Sequence, residues 1–374
     1  MTRYAHITGW GMAVPERVLT NQDLEKIVDT NDGWIIDRTG IRERRIAGKN
    51  DTTASLATQA ALRALHGTGV PADEIDLIIV ATCSPEHLFP ATASIVQDQI
   101  GASQAGAFDL LAACTGFIFA LNMAAQAVRT GSIDNALVIG SETLSRVVNY
   151  QDRSTAILFG DGAGAFLIEG RDWPGGVLAS VMRSDGSGGE LLSIPAGGSY
   201  MPATLETVRE NMHYIQMNGR EVFRFATRVI ASATREVIEE AGMRVEDISL
   251  VIPHQANLRI IEAAARGLKL PLDRFVVNIE KYGNTSTASI PIAFCEAWDQ
   301  GRIRVGDNLV LVGFGAGLTW GALAMTLTEK ERMLKVDGRR STILVSRARL
   351  RSLGRRIGRR LDSLIFRTSS KSGD

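Results

Sequence analysis

Short runs of branched aliphatic residues recur along the chain, separated by segments whose apolar residues have helical spacing. Two long segments with few charges, 115–128 and 288–298, predict helices. The aliphatic runs predict eight β-strands, at 77–81, 107–111, 136–140, 163–168, 250–253, 275–278, 308–313 and 320–327. Strands that alternate with helices in this way predict an α/β fold.

Two uncharged stretches, 110–128 and 309–328, approach the ~20 residues that a membrane-spanning helix needs. The first contains the polar residues Asn122 and Gln126, and the second contains four glycines. Glycine turns in the middle of a bilayer would leave backbone groups without hydrogen-bond partners. We therefore predict that both stretches are buried core.

The two halves of the chain contain matching segments at a constant offset of 173 residues. EIDLIIV at 74–80 aligns with DISLVIP at 247–253, and DNALVIG at 134–140 aligns with DNLVLVG at 307–313. Buried strands resemble one another in general, and this resemblance could produce one match by chance. Two matches at the same offset are harder to explain in that way. The matches therefore predict a duplicated α/β unit whose strand-end loops build one shared site.

Cys114 is the candidate nucleophile. It follows the strand 107–111 in the segment DLLAACTGF and lies at the start of the helix 115–128. The positive end of a helix dipole is expected to lower the pKa of such a cysteine and favour its thiolate. A structural role is the alternative for any lone cysteine, and it suits Cys83 and Cys295 better.

His254 and Asn284 are candidate partners of this cysteine. His254 follows the strand 250–253, at the edge where open α/β sheets place their sites, although an ordinary buried or surface histidine is equally compatible. Asn284 lies in the polar turn KYGNTSTA, where a helix-capping role is the alternative. The 173-residue offset pairs Cys114 with position 287, so the two turns should face one cavity. The glycine-rich segment FGAG at 314–317 offers backbone N–H groups for an oxyanion site.

The overall composition is that of a soluble globular protein. The 374 residues are long enough for two domains, 45% are hydrophobic and 22% are charged, which excludes a disulfide-stabilised miniature. Three cysteines, an odd number, suit a reducing cytosol, and no basic region followed by an apolar region opens the chain. We therefore expect a cytoplasmic protein.

The 41 basic and 41 acidic residues balance only over the whole chain. Residues 331–374 hold thirteen basic and four acidic residues, a net +9, and the remainder of the chain carries −9. The spacing of Leu350, Leu353, Ile357, Leu361 and Leu364 predicts an amphipathic helix. Such a helix suits an anionic membrane surface or an acidic partner, and a solvated mobile tail is the alternative. A third possibility is a protein that binds nucleic acid or membrane through this tail and uses the rest of the chain as a scaffold. The candidate site formed by the three loops of Cys114, His254 and Asn284 argues against it.

Several segments of the chain resemble the β-ketoacyl-acyl-carrier-protein synthase III family of thiolase-fold condensing enzymes. The resemblance covers residues 1–328 and implies two pseudo-symmetric α/β halves in a layered αβαβα core, at 1–172 and 173–330, followed by the basic tail 331–374. The matching segments are DGWIIDRTGIRER at 32–44, ACTGF at 113–117, RSTAILFGDGAGA at 153–165, PHQANLRII at 253–261, GNTS at 283–286 and GFGAG at 313–317.

The resemblance implies an acyltransferase that starts fatty acid biosynthesis. Cys114 would take the acyl group of an acyl-CoA primer, acetyl or another short chain, and malonyl-acyl carrier protein would then lose CO2 and attack the acyl-cysteine. His254 and Asn284 would stabilise the enolate oxygen, and backbone N–H groups of Cys114, Gly315, Ala316 and Gly317 would hold the second oxyanion. A related acyltransferase or ketosynthase of secondary metabolism is the alternative. No metal or cofactor is implied, and coenzyme A enters only as the substrate thioester.

The family's binding residues carry over by matching motifs. The coenzyme A set is Thr30, Trp34, Arg38, Arg153, Gly219, Phe223 and Asn257, and the carrier-protein set is Gln255, Ala256, Asn257, Leu258 and Arg259. Phe89 matches a residue that lines the acyl pocket of the other subunit in a homodimer. The segment DRST at 152–155 departs mildly from the family's DRGT. No nucleic acid is expected as a partner.

Overall fold

The computed structural model of the chain describes residues 2–328 and, in the tail, positions 350, 354 and 357. Two β-sheets are separated by buried helices and covered by outer helices, which confirms the predicted layered α/β fold. The strands are β1 (Tyr4–Ala13), β2 (Val18–Thr20), β3 (Glu43–Arg45), β4 (Leu77–Ala81), β5 (Gly106–Leu110), β6 (Asn135–Thr143), β7 (Asp161–Arg171), β8 (Gly176–Ser184), β9 (Leu192–Ser193), β10 (Gln216–Met217), β11 (Leu250–Pro253), β12 (Asn308–Gly315) and β13 (Thr319–Thr326).

The two large sheets share one strand order. The first runs β1-β7-β6-β4-β5 and the second runs β8-β13-β12-β11. The pairs towards β5 in the first sheet and the pair β11–β12 in the second are parallel, and the pairs towards β1 or β8 are antiparallel. β5 has no counterpart in the second sheet. β4 and β11 are related by the 173-residue offset, as are β6 and β12. The predicted duplication is therefore visible as matching topology.

Eleven helices fall among the described residues 2–328. They are α1 (Asn21–Leu24), α2 (Asp32–Thr39), α3 (Thr53–Leu65), α4 (Thr92–Ile100), α5 (Gly116–Arg129), α6 (Arg153–Ala156), α7 (Leu205–Arg209), α8 (Gly219–Glu240), α9 (Leu258–Leu268), α10 (Ile279–Tyr282) and α11 (Ser289–Asp299). Helices α3 and α4 pack on the outer face of the first sheet, and α8 and α9 pack on the outer face of the second.

Helices α5 and α11 form the layer between the two sheets. Both are apolar over most of their surface, as a largely buried helix must be, and α5 exposes only Met123, Gln126 and Arg129. Phe117 of α5 and Phe294 of α11 pack edge-on against Phe166 of β7, with ring centroids 5.1 and 4.8 Å apart. This aromatic cluster joins the central helices to the first sheet in one core.

Each central helix is preceded by a short 3-10 turn, and the two turns are symmetry partners. The turns are Ala113–Thr115 and Ser286–Ala288, again 173 residues apart. Ala113 and Ser286 both have φ of 48°, a left-handed conformation that is uncommon for residues other than glycine. The duplicated unit therefore repeats its backbone conformation at the positions that flank the candidate nucleophile.

Seven of the eight predicted strands are confirmed, and the prediction for 275–278 is wrong. There only Phe275 makes an isolated bridge, to Val251. The side chain of Gln255 takes the place of a strand partner, because it accepts from the N–H of Asn278 and donates to the carbonyl of Val276. The edge strands β1 and β8 were not predicted, since glycine and polar residues interrupt their apolar pattern.

Both uncharged stretches lie in the core, as predicted: the first forms most of α5 and the second forms β12 and β13. Among the residues that the structure describes, no helix combines the length and apolar character needed to cross a membrane. Leu350 and Ile357 have helical backbone and are exposed. The rest of the predicted amphipathic helix lies outside the described residues.

The contact between β6 and the turn Ser286–Ala288 leaves no room for a side chain at Gly140. A Cβ there would lie 2.3 Å from the backbone oxygen of Thr287. We expect Gly140→Ala to lower the free energy of unfolding by about 1–3 kcal/mol, because the turn must move to relieve the overlap. Urea denaturation at fixed protein concentration measures the change. Gly186→Ala is the control, since a Cβ there meets nothing within 4 Å, and an equal loss in both variants would contradict the prediction.

Candidate active site

A cavity of about 500 Å3 opens at the junction of the two halves, where the turns that precede α5 and α11 meet. Cys114 and Ser286 both line it, so the predicted pairing of the two turns around one cavity is confirmed. Most of the remaining lining is apolar and comprises Leu111, Ala112, Ala113, Leu144, Phe159, Leu192, Ile194 and Ile215, together with Cys83, Gly189, Ser193, Ala316, Gly317 and Thr319.

Cys114 is buried, with 8% of its surface exposed. Burial raises the pKa of its thiol to about 12, and a hydrogen bond with the hydroxyl of Ser286 opposes this rise. The expectation that the helix terminus would lower the pKa is therefore wrong for the resting site. A helix dipole contributes at most about 1–2 kcal/mol, and the cost of taking a thiolate out of water is larger here.

His254 follows β11 and is held on the second sheet by its own backbone, whose N–H donates to the carbonyl of Val312 at 2.8 Å. The ring is 1% exposed, and burial lowers the pKa of His254 to about 3. Its Nδ1 lies 2.7 Å from the hydroxyl of Ser289, and the ring of Phe314 packs against it with centroids 5.3 Å apart. The histidine is therefore neutral at physiological pH and fixed in orientation.

Asn284 lies in the loop between α10 and the turn Ser286–Ala288. Its N–H donates to the carbonyl of Leu158, and its carbonyl accepts from the N–H of Gly160. The side-chain oxygen Oδ1 accepts from the N–H of Ser286 at 2.9 Å. This bond occupies the acceptor end of the amide, so the Nδ2 donor is the end directed away from the turn. The turn therefore fixes the orientation of the Asn284 amide, through the kind of bond that an asparagine in a turn or at a helix cap makes.

The glycine-rich segment after β12 approaches the nucleophile closely. A Cβ on Gly315 would lie 2.6 Å from the backbone nitrogen of Cys114. Ala316 and Gly317 line the cavity. Only glycine permits this approach at position 315, which brings a second strand end beside the turn that carries the thiol.

Sequence reasoning missed Glu142, a fully buried carboxylate beneath the cavity. It accepts hydrogen bonds from Thr82, Ser84 and Thr287 and from the backbone N–H of Cys83. Burial raises the pKa of Glu142, and these donors oppose the rise. The carboxylate thus joins the loop after β4 to the turn that precedes α11. The described part of the chain contains no group of three or more His, Cys, Asp or Glu residues placed to hold a metal ion.

Cys83 was assigned a structural role, yet it lines the same cavity as Cys114. Its sulfur lies 3.8 Å from the hydroxyl of Ser286. Burial raises the pKa of Cys83 well above its ordinary value, and Glu142 adds to the rise. The second thiol is therefore protonated in the resting site. The 173-residue repeat did not indicate that Cys83 lies in the site, because its counterpart in the second half, Ala256, carries no functional group.

Three of the residues predicted to hold coenzyme A form one surface cluster. The guanidinium carbons of Arg38 and Arg153 lie 4.5 and 5.3 Å from the ring centroid of Trp34. Arg153 also lies 3.7 Å from Asp29. An indole flanked by two guanidinium groups is suited to hold a planar base.

The other predicted coenzyme A residues lie around this cluster or at the start of α8. Asn257 donates to the backbone carbonyl of Arg38 at 2.9 Å and caps α9. Thr30 is half-buried and its hydroxyl has no hydrogen-bond partner among the described residues. Phe223 lies beneath the guanidinium of Arg259 at 5.5 Å, and Gly219 is exposed at the first position of α8.

One predicted carrier-protein contact is wrong. Gln255 is 1% exposed, and its side chain is fully used inside the protein by Pro253, Val276 and Asn278. It shapes the loop after β11 and is unavailable to a docking partner. The other four residues of that set remain at or near the surface: Ala256, Asn257 and Leu258 are half-buried and Arg259 is exposed. Phe89 is 86% exposed on this single chain.

Two segments of the chain match family models. Residues 108–186 match 3-oxoacyl-[acyl-carrier-protein (ACP)] synthase III, and residues 238–327 match the C terminal of 3-oxoacyl-[acyl-carrier-protein (ACP)] synthase III. The first segment contains Cys114, and the second contains His254 and Asn284. Neither model extends into the basic tail.

Full-length relatives and solved structures agree with these matches. A β-ketoacyl-[acyl-carrier-protein] synthase III of Roseiflexus sp. (strain RS-1) is 50% identical over 328 residues, covering 88% of this chain and all of the relative. The crystal structure of 3-oxoacyl-[acyl-carrier-protein] synthase III from Aquifex aeolicus VF5 shares 48% identity with a TM-score of 0.80, covering 86% of this chain and 99% of its own. The priming β-ketosynthase from the R1128 polyketide biosynthetic pathway shares 36% identity with a TM-score of 0.81, covering 88% and 98%.

The raised pKa of Cys114 predicts how its reactivity depends on pH. Because the thiolate is the reactive form, the rate of alkylation by iodoacetamide should rise about tenfold per pH unit between about pH 6 and 9, without a plateau. Peptide mapping by mass spectrometry measures labelling at Cys114 separately from Cys83. A cysteine peptide with an ordinary pKa near 8.5 is the control and should level off above that pH. A plateau for Cys114 near pH 7 would contradict the prediction and favour a thiolate stabilised by the helix.

Proposed function

The chain belongs to the 3-oxoacyl-[acyl-carrier-protein] synthase III family, and we propose that Cys114, His254 and Asn284 carry out its condensation. The family's enzymes are acyltransferases that start fatty acid biosynthesis, and this chain has that function. One observation carries the residue assignment: the cavity that Cys114 lines is also lined by Ser286, whose N–H holds Oδ1 of Asn284, and the end of β12 packs on His254 through Phe314 and on Cys114 through Gly315. The first partner in the reaction is an acyl-CoA and the second is malonyl-acyl carrier protein.

In the first half of the reaction, Cys114 takes the acyl group. Its thiol loses a proton as the sulfur attacks the thioester carbonyl, the bond from that carbonyl to the coenzyme A sulfur then breaks, and the departing sulfur takes up a proton to leave as the free thiol of coenzyme A. Exchange between two thioesters is nearly balanced in energy, so a protonated resting thiol does not prevent it. The developing oxyanion accepts hydrogen bonds from the N–H of Cys114 and from the segment Gly315–Gly317, which lies beside it.

In the second half, the malonyl group loses CO2 and becomes an enolate. Its negative charge develops on the thioester oxygen, where a proton donor lowers the barrier most. His254 suits this role because it is neutral, and Asn284 suits it because its amide is already oriented. The enolate carbon then attacks the acyl-cysteine, which gives 3-oxoacyl-carrier protein and frees the thiol.

We assign coenzyme A binding to the surface cluster of Trp34, Arg38 and Arg153. The adenine would stack on the indole, and the two guanidinium groups suit its phosphates as well as the ring. The resemblance also assigns Thr30, Asn257, Gly219 and Phe223 to coenzyme A binding. Asn257 donates to the backbone carbonyl of Arg38 in this cluster, and the hydroxyl of Thr30 is buried without a hydrogen-bond partner among the described residues.

We propose that the carrier protein docks at the start of α9. Arg259 is exposed there and stacks on Phe223, which holds the cation in place. A fixed cation on a body of net −9 offers local attraction to an acidic carrier protein. Ala256, Asn257 and Leu258 complete this surface, and Gln255 supports it from inside.

We further propose that the enzyme is a homodimer and acts in the cytoplasm. Leu88 and Phe89 are 84% and 86% exposed, on a loop near the cavity wall formed by Cys83. Exposed apolar side chains of this size mark a protein contact, and the acyl pocket of a second copy would bury Phe89. The free thiols of Cys83, Cys114 and Cys295 suit a reducing compartment.

A priming ketosynthase of secondary metabolism is the second candidate, favoured by the likeness to the polyketide priming enzyme. Both candidates share the same chemistry and differ in primer and product. The apolar lining of the 500 Å3 cavity exceeds what an acetyl group needs, so a longer or branched short primer also fits. Mass spectrometry of the enzyme after exposure to a series of acyl-CoAs identifies the primer.

The nucleophile assignment predicts a specific loss. Cys114→Ala should form no acyl-enzyme with acyl-CoA and no 3-oxoacyl product with malonyl-carrier protein, because the backbone N–H of Cys83, the other thiol that lines the cavity, is bonded to Glu142 and cannot hold an oxyanion. Intact-protein mass spectrometry detects the adduct, and peptide mapping shows whether it is on Cys114 or Cys83. Cys295→Ala is the matched control, since Cys295 is equally buried but lies away from the cavity. Product formation by Cys114→Ala would overturn the assignment.

We propose that residues 331–374 attach the enzyme to an anionic membrane surface. The tail carries a net +9, its leucine spacing predicts an amphipathic helix, and the family model ends at residue 327. Arginines around an apolar face are typical of helices that lie on anionic lipid. The tail thus adds a property that the condensation itself does not require.

Deletion of residues 331–374 tests the proposed attachment to an anionic membrane surface. The full chain should sediment with phosphatidylglycerol vesicles and much less with phosphatidylcholine vesicles, and added salt should weaken the binding. The deletion variant should lose at least about tenfold in vesicle binding, because the charge is lost, while its condensation rate with soluble substrates stays within about twofold. Equal sedimentation of the two proteins would refute the proposal, as would binding of the tail to carrier protein but not to vesicles.

A further inference from the structure

The hydroxyl of Ser289 has two hydrogen-bond contacts. Its oxygen lies 2.7 Å from Nδ1 of His254 and 3.3 Å from the backbone nitrogen of Gln255. Ser289 is 2% exposed and is the first residue of α11. The contact therefore joins the candidate donor after β11 to the beginning of the central helix of its own half.

The direction of these bonds follows from which groups carry hydrogen. The N–H of Gln255 can only donate, so it occupies one lone pair of the Ser289 oxygen. The hydroxyl proton then needs an acceptor, because a buried O–H without one costs about 1–3 kcal/mol. Within residues 2–328, the contacts of this hydroxyl offer a single acceptor, Nδ1 of His254. Nδ1 is therefore unprotonated, and the hydrogen of the neutral ring is on Nε2.

We infer that Ser289 is a positioning residue that fixes His254 in the tautomer with hydrogen on Nε2, so that this nitrogen donates to the enolate oxygen. The inference rests on the proposed function, which requires His254 to donate. It assigns Ser289 no contact with substrate. Its role is to make one tautomer dominant before the malonyl group enters.

Comparison of the two halves of the chain supports the inference that the hydroxyl of Ser289 serves to orient His254. The 173-residue offset pairs His254 with Ala81 and Ser289 with Gly116. In the first half these two positions also lie together, since a Cβ on Gly116 would be 3.2 Å from that of Ala81. The first half therefore has neither the imidazole nor the hydroxyl. The fold of this helix start does not require a serine, and the hydroxyl occurs where there is a ring to orient.

Ser289→Ala tests the inference through the two half-reactions. Condensation with malonyl-carrier protein should fall about 10- to 100-fold, mainly in kcat, because part of the histidine population presents an unprotonated Nε2. Acylation of Cys114 by acyl-CoA should stay within about threefold. Ser289→Thr, which keeps the hydroxyl, should recover most of the condensation rate. Selective 15N-histidine NMR should show hydrogen on Nε2 of His254 in the wild type and partial transfer to Nδ1 in Ser289→Ala.

Two comparison variants separate the outcomes. Ser141→Ala removes a hydroxyl that is equally buried and bonds only the Thr53 carbonyl, so it reports the cost of a lost buried hydroxyl away from the site. His254→Ala should lower condensation at least as far as Ser289→Ala. If His254→Ala has no effect, the proposed function itself fails. If His254→Ala lowers condensation but Ser289→Ala does not, or if wild-type Nδ1 carries the hydrogen, only the inference about Ser289 is overturned.

Discussion

The burial of α5 and α11 between two sheets is the constraint on which the site depends. Most of each helix is buried, and the exposed residues of α5 are Met123, Gln126 and Arg129. The turns that precede these helices therefore meet inside the protein. The same exclusion of water raises the pKa of Cys114 and lowers that of His254. A dry site also forces each polar side chain to find internal partners. His254 and Asn284 each have one side-chain end bonded to an internal partner, and the proposed chemistry uses the other end.

Sequence periodicity predicted the strands, the central helices and the three loops that carry Cys114, His254 and Asn284. It succeeded because buried strands and helices must show apolar runs, and because a duplicated unit repeats them at a fixed offset. Periodicity failed at 275–278, where the side chain of Gln255 replaces a strand partner, and it did not predict β1 and β8. The family resemblance failed at Gln255, because a motif alone cannot show that a side chain is buried. The direction of the Cys114 pKa shift was also missed, since the chain pattern locates a helix end but does not reveal the depth of burial.

The two halves show how one framework supports different chemistry. The proposed nucleophile of the first half is at position 114, whereas its counterpart Thr287 donates to the carbonyl of Ala81 and to Glu142. That hydroxyl holds the two halves together beneath the cavity. Each half therefore supplies what the other lacks: the first supplies the thiol and the buried carboxylate, and the second supplies the donors. Duplication provides the geometry, and single side chains divide the tasks.

The neutral total charge hides a division between an acidic body and a basic tail. Charges separated by more than about 8 Å are largely screened at physiological ionic strength, so a net charge of −9 does not prevent docking of an acidic carrier protein. The proposed docking site therefore depends on the local field at Arg259, whose guanidinium lies over the ring of Phe223. By the same argument, the +9 of the tail acts only on what lies close to it. The proposed membrane attachment follows from this, because an anionic lipid surface offers many closely spaced negative charges that several arginines can engage together.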